Sequence, residues 1–246
     1  MNLTNQKILV TGGSSGIGLE LSKQLLRRKN QVIICGSTPE KLQSAVESHP
    51  RLISFRCDLS QPDNCKTLIE WIREHHRDLS VLVNNAAIVH KESFFGGTDM
   101  LAKAEREMQV NFFAPLRLIH GLTPTLVDNQ NPAVINITTG LVYAPRADYS
   151  FYNSTKAALH AFTQVLRIQT ARERLKVIEV LFPAVDTPWH QGQAPEIAIA
   201  PREAVLAMLK EIDRGKEEIK VKGVKLLHLL SRLAPDIALK KVNDLG

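Results

Sequence analysis

ILVTGGSSGIG, residues 8–18, sets an apolar run directly against a glycine-rich turn, and a helical pattern follows at once. The run Ile8–Val10 is too short for a helix and is unbroken rather than alternating, as in a strand buried on both faces. From Gly18 to Arg28 the leucines Leu21 and Leu25 stand four apart, one helical turn along one face. Strand, turn and helix in this order form a βα unit whose turn carries Gly12, Gly16 and Gly18. Positions without side chains let an anion approach backbone N–H groups at the positive end of a helix. The stretch reads as a cradle for the pyrophosphate of a dinucleotide.

The same alternation continues. Apolar runs at Val32–Cys35, Leu52–Cys57, Val81–Val83, Ala133–Ile137 and Val177–Phe182 are separated by longer stretches of helical period. These cover Pro39–Ser48, Asn64–His75, Met100–Val127 and Asn153–Arg172. The pattern predicts an α/β fold, a Rossmann-type doubly wound parallel sheet with helices on both faces. No linker or low-complexity stretch interrupts it, so a single domain over residues 1–246 is expected.

Composition excludes several classes. The net charge is +6, from 31 basic and 25 acidic residues, and the basic residues are spread rather than clustered. With aromatics at 5%, nothing resembles a nucleic-acid platform. Cys35, Cys57 and Cys65 leave one thiol unpaired in any disulfide scheme and read as small buried side chains in a reducing compartment. The start MNLTNQKILV lacks a basic region followed by a long apolar stretch, and no run of 18 apolar residues occurs. A cytoplasmic protein is expected. His190 has no second ligand at a suitable spacing, so no metal is expected.

Further motifs follow in order: Asp58 after the third apolar run, NNAA at 84–87, Asn111, YNSTK at 152–156 and PAVDTP at 183–188. Together with TGGSSGIG they resemble the short-chain dehydrogenase/reductase family, in its short, non-extended branch, over nearly the whole chain. The resemblance implies an NAD(P)-dependent oxidoreductase acting on a small-molecule carbonyl or secondary alcohol. It also implies cofactor contacts from Gly12, Ser14, Ser15, Gly16, Ile17 and Gly18 in the first turn. Asp58 with Leu59 would lie at the adenine, Asn85 and Ala86 along the cleft, and Pro183, Val185 and Thr187 along the nicotinamide. Asn111 would hold a proton-relay water, and a homodimer or homotetramer is implied through the Asn153–Arg172 helix. Ala87 departs from the family's glycine, and tolerance is expected there.

The end of the second strand separates NAD from NADP. CGSTPEKL at 35–42 places Gly36 where an acid would bind a ribose 2′-hydroxyl and Ser37 where an arginine would pair a 2′-phosphate. No carboxylate repels a phosphate, and Ser37 and Thr38 offer donors. The reading favours NADP(H), with NAD(H) as the alternative.

All three tyrosines, Tyr143, Tyr149 and Tyr152, fall within ten residues. A phenol that donates a proton gains from a nearby ammonium, and residues four apart share a helix face. Only Tyr152 has such a partner, Lys156; Tyr149 meets Asn153 and Tyr143 meets Ala147. In the family this pair is the acid–base tyrosine and its lysine, and the lysine also holds the nicotinamide ribose. The family serine thirteen residues earlier is Thr139 here, with Thr138 before it. Its hydroxyl would polarise the substrate carbonyl, and its extra methyl would restrict the rotamer. That departure leaves a second reading, a cofactor-binding sensor or scaffold with weak turnover. Tyr143, Tyr149 and Trp189 are the expected substrate contacts, and residues 187–205 the expected lid.

The tail at 220–246 is expected to depart from the family's usual last strand with a glycine-rich finish. Its Leu226, Leu227, Leu229, Leu230 and Leu233 form an apolar stripe beside Lys225 and Arg232. Core or subunit interface is the expectation there, ahead of membrane contact. The wording of this tail resembles a subgroup of bacterial oxidoreductases labelled DltE-like.

Overall fold

The structure, a computed structural model, describes residues 1–190 and 192–244. Residue 191 of the expected lid and residues 245–246 of the expected C-terminal extension lie outside the described residues. The strands are β1 (Lys7–Thr11), β2 (Gln31–Gly36), β3 (Leu52–Arg56), β4 (Leu79–Asn84), β5 (Ala133–Thr139), β6 (Lys176–Phe182) and β7 (Glu218–Lys220). They pair in parallel in the order β3-β2-β1-β4-β5-β6-β7. The register places Val10 beside Ile34 of β2 on one side and Val83 of β4 on the other. The order reverses between β1 and β4, which opens a crevice at the carboxyl ends of the strands.

Helices α1 (Gly16–Arg27), α2 (Pro39–Ser48) and α7 (Pro201–Asp213) cover one face, and α3 (Pro62–His75), α5 (Ala114–Val127) and α6 (Tyr152–Gln169) the other. The period of two along β1 divides the core. Ile8 and Val10 pack with Leu21, Leu25, Met208 and Leu209, while Leu9 packs with Leu68, Ile72, Leu118 and Leu122. Both faces are thus apolar, which explains why the strands read as continuous runs. The three cysteines are buried and unpaired.

Several elements differ from expectation. The helix anticipated over Met100–Val127 is divided into α4 (Met100–Met108), a π-helical turn Gln109–Phe113, and α5. Pro115 accounts for the break, because it lacks the N–H that would bond the carbonyl of Asn111 in an α-helix. A last strand does form: β7 reads EIK, with one fully buried residue, Ile219, and charged neighbours suited to a sheet edge. The expected lid is shorter, since α7 begins at Pro201. Beyond β7 the tail folds as two helices, α8 (Val224–Leu233) and α9 (Pro235–Asn243), separated at Ala234 where Pro235 starts a new helix.

Candidate active site

The glycine turn joining β1 to α1 is shaped by close backbone approach. A Cβ on Gly18 would lie 2.2 Å from the carbonyl oxygen of Gly12, and Gly12 itself has φ +64°, where a Cβ would lie 3.0 Å from Ala86 Cα. Both positions therefore require glycine. Thr11 ties this turn to the strand beside it. Its Oγ1 accepts from the backbone N–H of Asn85 (2.9 Å) and Ala86 (3.0 Å), while Asn85 Nδ2 donates to the Thr11 carbonyl at 2.9 Å.

A cleft of about 630 Å³ runs from this turn across the strand ends to the C-terminal helices. At one end it is walled by Gly12, Ser14, Ser15, Gly16, Ile17 and Gly18, then by Ser37 and Thr38, and by Asp58 with Leu59. The middle is bounded by Asn85, Ala86, Thr139, Tyr152 and Lys156, and facing them lie Pro183, Val185 and Thr187. Asp58 is fixed by its turn, its Oδ1 accepting from Ser60 N–H at 3.0 Å and Ser60 Oγ at 2.8 Å. Ala87 stays outside the left-handed backbone region, so its Cβ adds no strain.

Tyr152 opens α6, and Lys156 follows one turn later on the same face. Lys156 is buried; its Nζ donates to the Ile137 carbonyl at 2.9 Å and stands 5.9 Å from the Tyr152 ring centroid. Burial lowers its pKa to about 8, opposed by the Glu179 carboxylate. The phenol of Tyr152 is pushed up rather than down, first by desolvation and then by Tyr149 and Glu107. Desolvation at the phenol outweighs the Lys156 ammonium, whose hydrogen bond goes to the Ile137 carbonyl. A phenol so placed stays protonated at neutral pH, the form required to deliver a proton.

Thr139 ends β5 at the cleft wall. Its Oγ1 accepts from Leu141 N–H at 3.2 Å, which leaves its own proton free to point elsewhere. Thr138 cannot substitute, because its hydroxyl donates to Glu179 Oε1 at 2.7 Å. Asn111 does not line the cleft. Its Oδ1 accepts from Ile88 N–H, and its Nδ2 donates to the Ile88 carbonyl and to Thr155 Oγ1. Both amide protons and one lone pair of Oδ1 are thus engaged, and the backbone carbonyl lacks an α-helical donor because of Pro115.

Tyr149, Tyr152 and Trp189 form a continuous aromatic wall, with centroids 6.2 Å and 5.6 Å apart along the chain of rings. Trp189 also meets His190, and a parallel bridge between Val185 and Ile199 ties the ends of this segment together. Tyr143, expected on the same wall, lies off it. Its ring packs on His228 at 4.4 Å and His160 at 5.7 Å, because α8 crosses the 3₁₀ turn Gly140–Val142 and covers the tyrosine from outside.

Two groups in or beneath the cleft were not singled out in the sequence. Lys41, in the first turn of α2, lines the cleft together with Ser37 and Thr38. Glu179 is fully buried on β6, and its two oxygens lie 2.8 and 2.9 Å from His160 Nδ1. The glutamate inside the strand run KVIEVLF was the available signal.

Residues 6–197 match the short chain dehydrogenase family. The chain belongs to that family. It is an NAD(P)-dependent oxidoreductase of the Rossmann type. The chain is 37% identical to an uncharacterised oxidoreductase, DltE, of Bacillus subtilis (strain 168), over 99% of this chain and 98% of that one. It is 28% identical to a fatty acyl-CoA reductase of Acinetobacter baylyi, over 96% and 82%. Among solved structures, a short chain dehydrogenase from Burkholderia cenocepacia J2315 in complex with NADP superposes with a TM-score of 0.86 at 25% identity, covering 98% and 99%.

Proposed function

We propose that the protein reduces a carbonyl to a secondary or primary alcohol with NADPH, using Tyr152 as the acid. The observation that carries this reading is that a protonated phenol, a buried ammonium and a hydroxyl whose proton is uncommitted all line one cleft. The glycine turn, with φ +64° at Gly12 and φ +53° at Gly16 ahead of the N-terminus of α1, fits a pyrophosphate, and the cofactor supplies the hydride when bound. Thr139 Oγ1 donates to the carbonyl oxygen, and Tyr152 Oη delivers the proton that oxygen takes up. Lys156 stabilises the resulting phenolate until a proton returns. Asn111, on the π-helical turn, would hold a water of that return path, the backbone carbonyl that Pro115 leaves without an α-helical donor being the group to do so. Residues 187–190 and 192–200 would close over the substrate, with Trp189 and Tyr149 against it.

Activity with a panel of aldehydes and ketones, followed by NADPH absorbance, tests the reading; tight cofactor binding with no turnover across the panel sinks it. The charge of Lys156 also sets a pH dependence. Below about 8 the group is cationic and supports the phenolate; above that it is neutral. Reductive kcat/KM is expected to fall on the alkaline side with a midpoint near 8, whereas a flat profile across that range contradicts the role of Lys156.

NADP(H) is favoured by the nucleotide end of the cleft. Asp58 is the one acidic residue on its wall among the described residues, and Lys41 lies with Ser37 and Thr38. The Burkholderia relative's complex with NADP supports the same choice. Lys41→Glu is expected to raise the KM for NADPH about tenfold and to leave that for NADH little changed. Equal effects on both cofactors would remove Lys41 from the 2′-phosphate.

Exposed Val165 and Ile168 on α6, with Phe113 nearby in sequence to α5, support a homodimer or homotetramer through this face. The buried free thiols support a cytoplasmic location, and no helix among the described residues is long and apolar enough to cross a membrane.

A further inference from the structure

Beyond Thr139 the cleft continues into a branch that the catalytic reading leaves unused. It passes Leu141 in the 3₁₀ turn and runs along the inner flank of α8, past Val224, Leu226, Leu227 and Leu230, to Val242 of α9. α8 packs loosely for so apolar a helix. Val224 is its one fully buried residue; Leu227 and Leu230 are only partly buried, and Leu226 remains 64% exposed. Leu227 and Leu230 touch Ala144, Ala238 and Val242 on one side and still line the cleft on the other.

This wall is held close to the reacting groups. A Cβ on Gly140, next to Thr139, would lie 3.1 Å from Val224 Cγ2. Asn243, at the end of α9, accepts from Ala147 N–H at 2.7 Å and donates to the Pro145 carbonyl at 3.1 Å. The C-terminal helices are thus fastened to the loop that leads into Tyr152.

The branch has a definite chemical character. Lys241 at its outer end is the charged side chain this wall contributes among the described residues. A polyhydroxylated chain would leave its hydroxyls unpaired against leucine, at a cost that an alkyl chain does not meet. Leu226, Leu227 and Leu230 follow one flank of a helix over about one turn, roughly 6 Å, so the surface is a strip suited to an extended chain. An apolar chain laid on it removes both surfaces from water.

We propose that this branch binds an extended alkyl chain attached to the reacting carbonyl, so that the substrates are medium- to long-chain aliphatic aldehydes or ketones. The proposal rests on the carbonyl-reductase reading above and adds the substrate class. The carbonyl oxygen lies at Tyr152 and Thr139, and the chain leads away past Leu141 along α8.

The test is a series of straight-chain 2-alkanones from pentan-2-one to nonan-2-one with NADPH. Each added methylene should raise kcat/KM about fourfold until the strip is covered, the factor expected for one buried methylene. In Leu230→Gln and, independently, Leu227→Gln, the gain per methylene should fall below about twofold, with the fold checked by NADPH titration. A flat series, or an unchanged gain in both variants, overturns the proposal. Calorimetry on the complex with NADP⁺ gives an answer that needs no turnover. There nonan-2-one should bind at least about tenfold more tightly than pentan-2-one. Tighter binding without turnover leaves the branch assigned and sinks the catalytic reading; equal binding overturns the branch, whatever the turnover.

Discussion

Tyr152→Phe is expected to lower kcat for carbonyl reduction by about 10³-fold while leaving the affinity for NADPH within a factor of about three. The substitution removes one oxygen and keeps the ring, so the contacts of Tyr152 with Tyr149 and Lys156 survive. What is lost is the proton donor. Desolvation holds the phenol protonated, and two neighbouring hydroxyls are turned elsewhere. Thr138 is committed to Glu179, and Tyr143 faces away against His228. Thr139 continues to bind the carbonyl oxygen, which leaves a residual rate from orientation alone. Steady-state kinetics with NADPH fluorescence titration separates the two effects. A loss confined to KM would make Tyr152 a binding residue and remove it from the proton transfer.

Gly18→Ala is expected to cost about 3 kcal/mol of stability and to abolish measurable NADPH binding. The added methyl would sit 2.2 Å from a backbone oxygen, that of Gly12, so no side-chain rotation relieves it. Either α1 moves away from the turn or the turn opens, and both spoil the backbone donors that face the cleft. For a chain of this size the loss corresponds to a fall in Tm of roughly 6–12 °C. Gly96→Ala serves as the control, because a Cβ there meets Ser93 Cβ at an ordinary 3.5 Å. Thermal unfolding by circular dichroism checks the pair, and equal Tm values for the two variants would contradict the tight-turn account.

The features legible in the sequence were those fixed by local pattern. Strands buried on both faces must be continuously apolar, so β1, β2, β4, β5 and β6 announced themselves, as did the glycines where α1 meets the first turn. The four-residue spacing of Tyr152 and Lys156 likewise placed both on one face of α6. Less visible was whatever depended on a distant partner. β7 has charges on either side of Ile219 because it pairs on one edge only, so it carries no apolar run. Tyr143 stands next to the catalytic stretch but is claimed by α8 from the far end of the chain. The division of the long helix was readable in principle from Pro115, although the π turn that absorbs it was not. Lys41 gave no signal, because only the folding of α2 against the cleft turns an ordinary surface lysine toward the nucleotide end.

The alkyl branch modifies how the threonine at 139 is understood. In the sequence its methyl stands out as a restraint on the rotamer. In the structure Thr139 stands beside a wall that continues through Leu141 to α8, so an apolar group on this residue adjoins a surface already apolar. Thr139→Ser would remove the methyl and keep the hydroxyl that accepts from Leu141 N–H.

The central claim is that a hydride passes from the cofactor to a carbonyl carbon held at Tyr152 and Thr139. NADPH carrying deuterium on both faces of C4, incubated with nonan-2-one, tests it directly by mass spectrometry of the alcohol. One deuterium on the carbinol carbon of nonan-2-ol, formed by the native protein and reduced about 10³-fold in rate by Tyr152→Phe, is the predicted result. Cofactor bound at the cleft with no deuterated alcohol from any carbonyl supplied would contradict it.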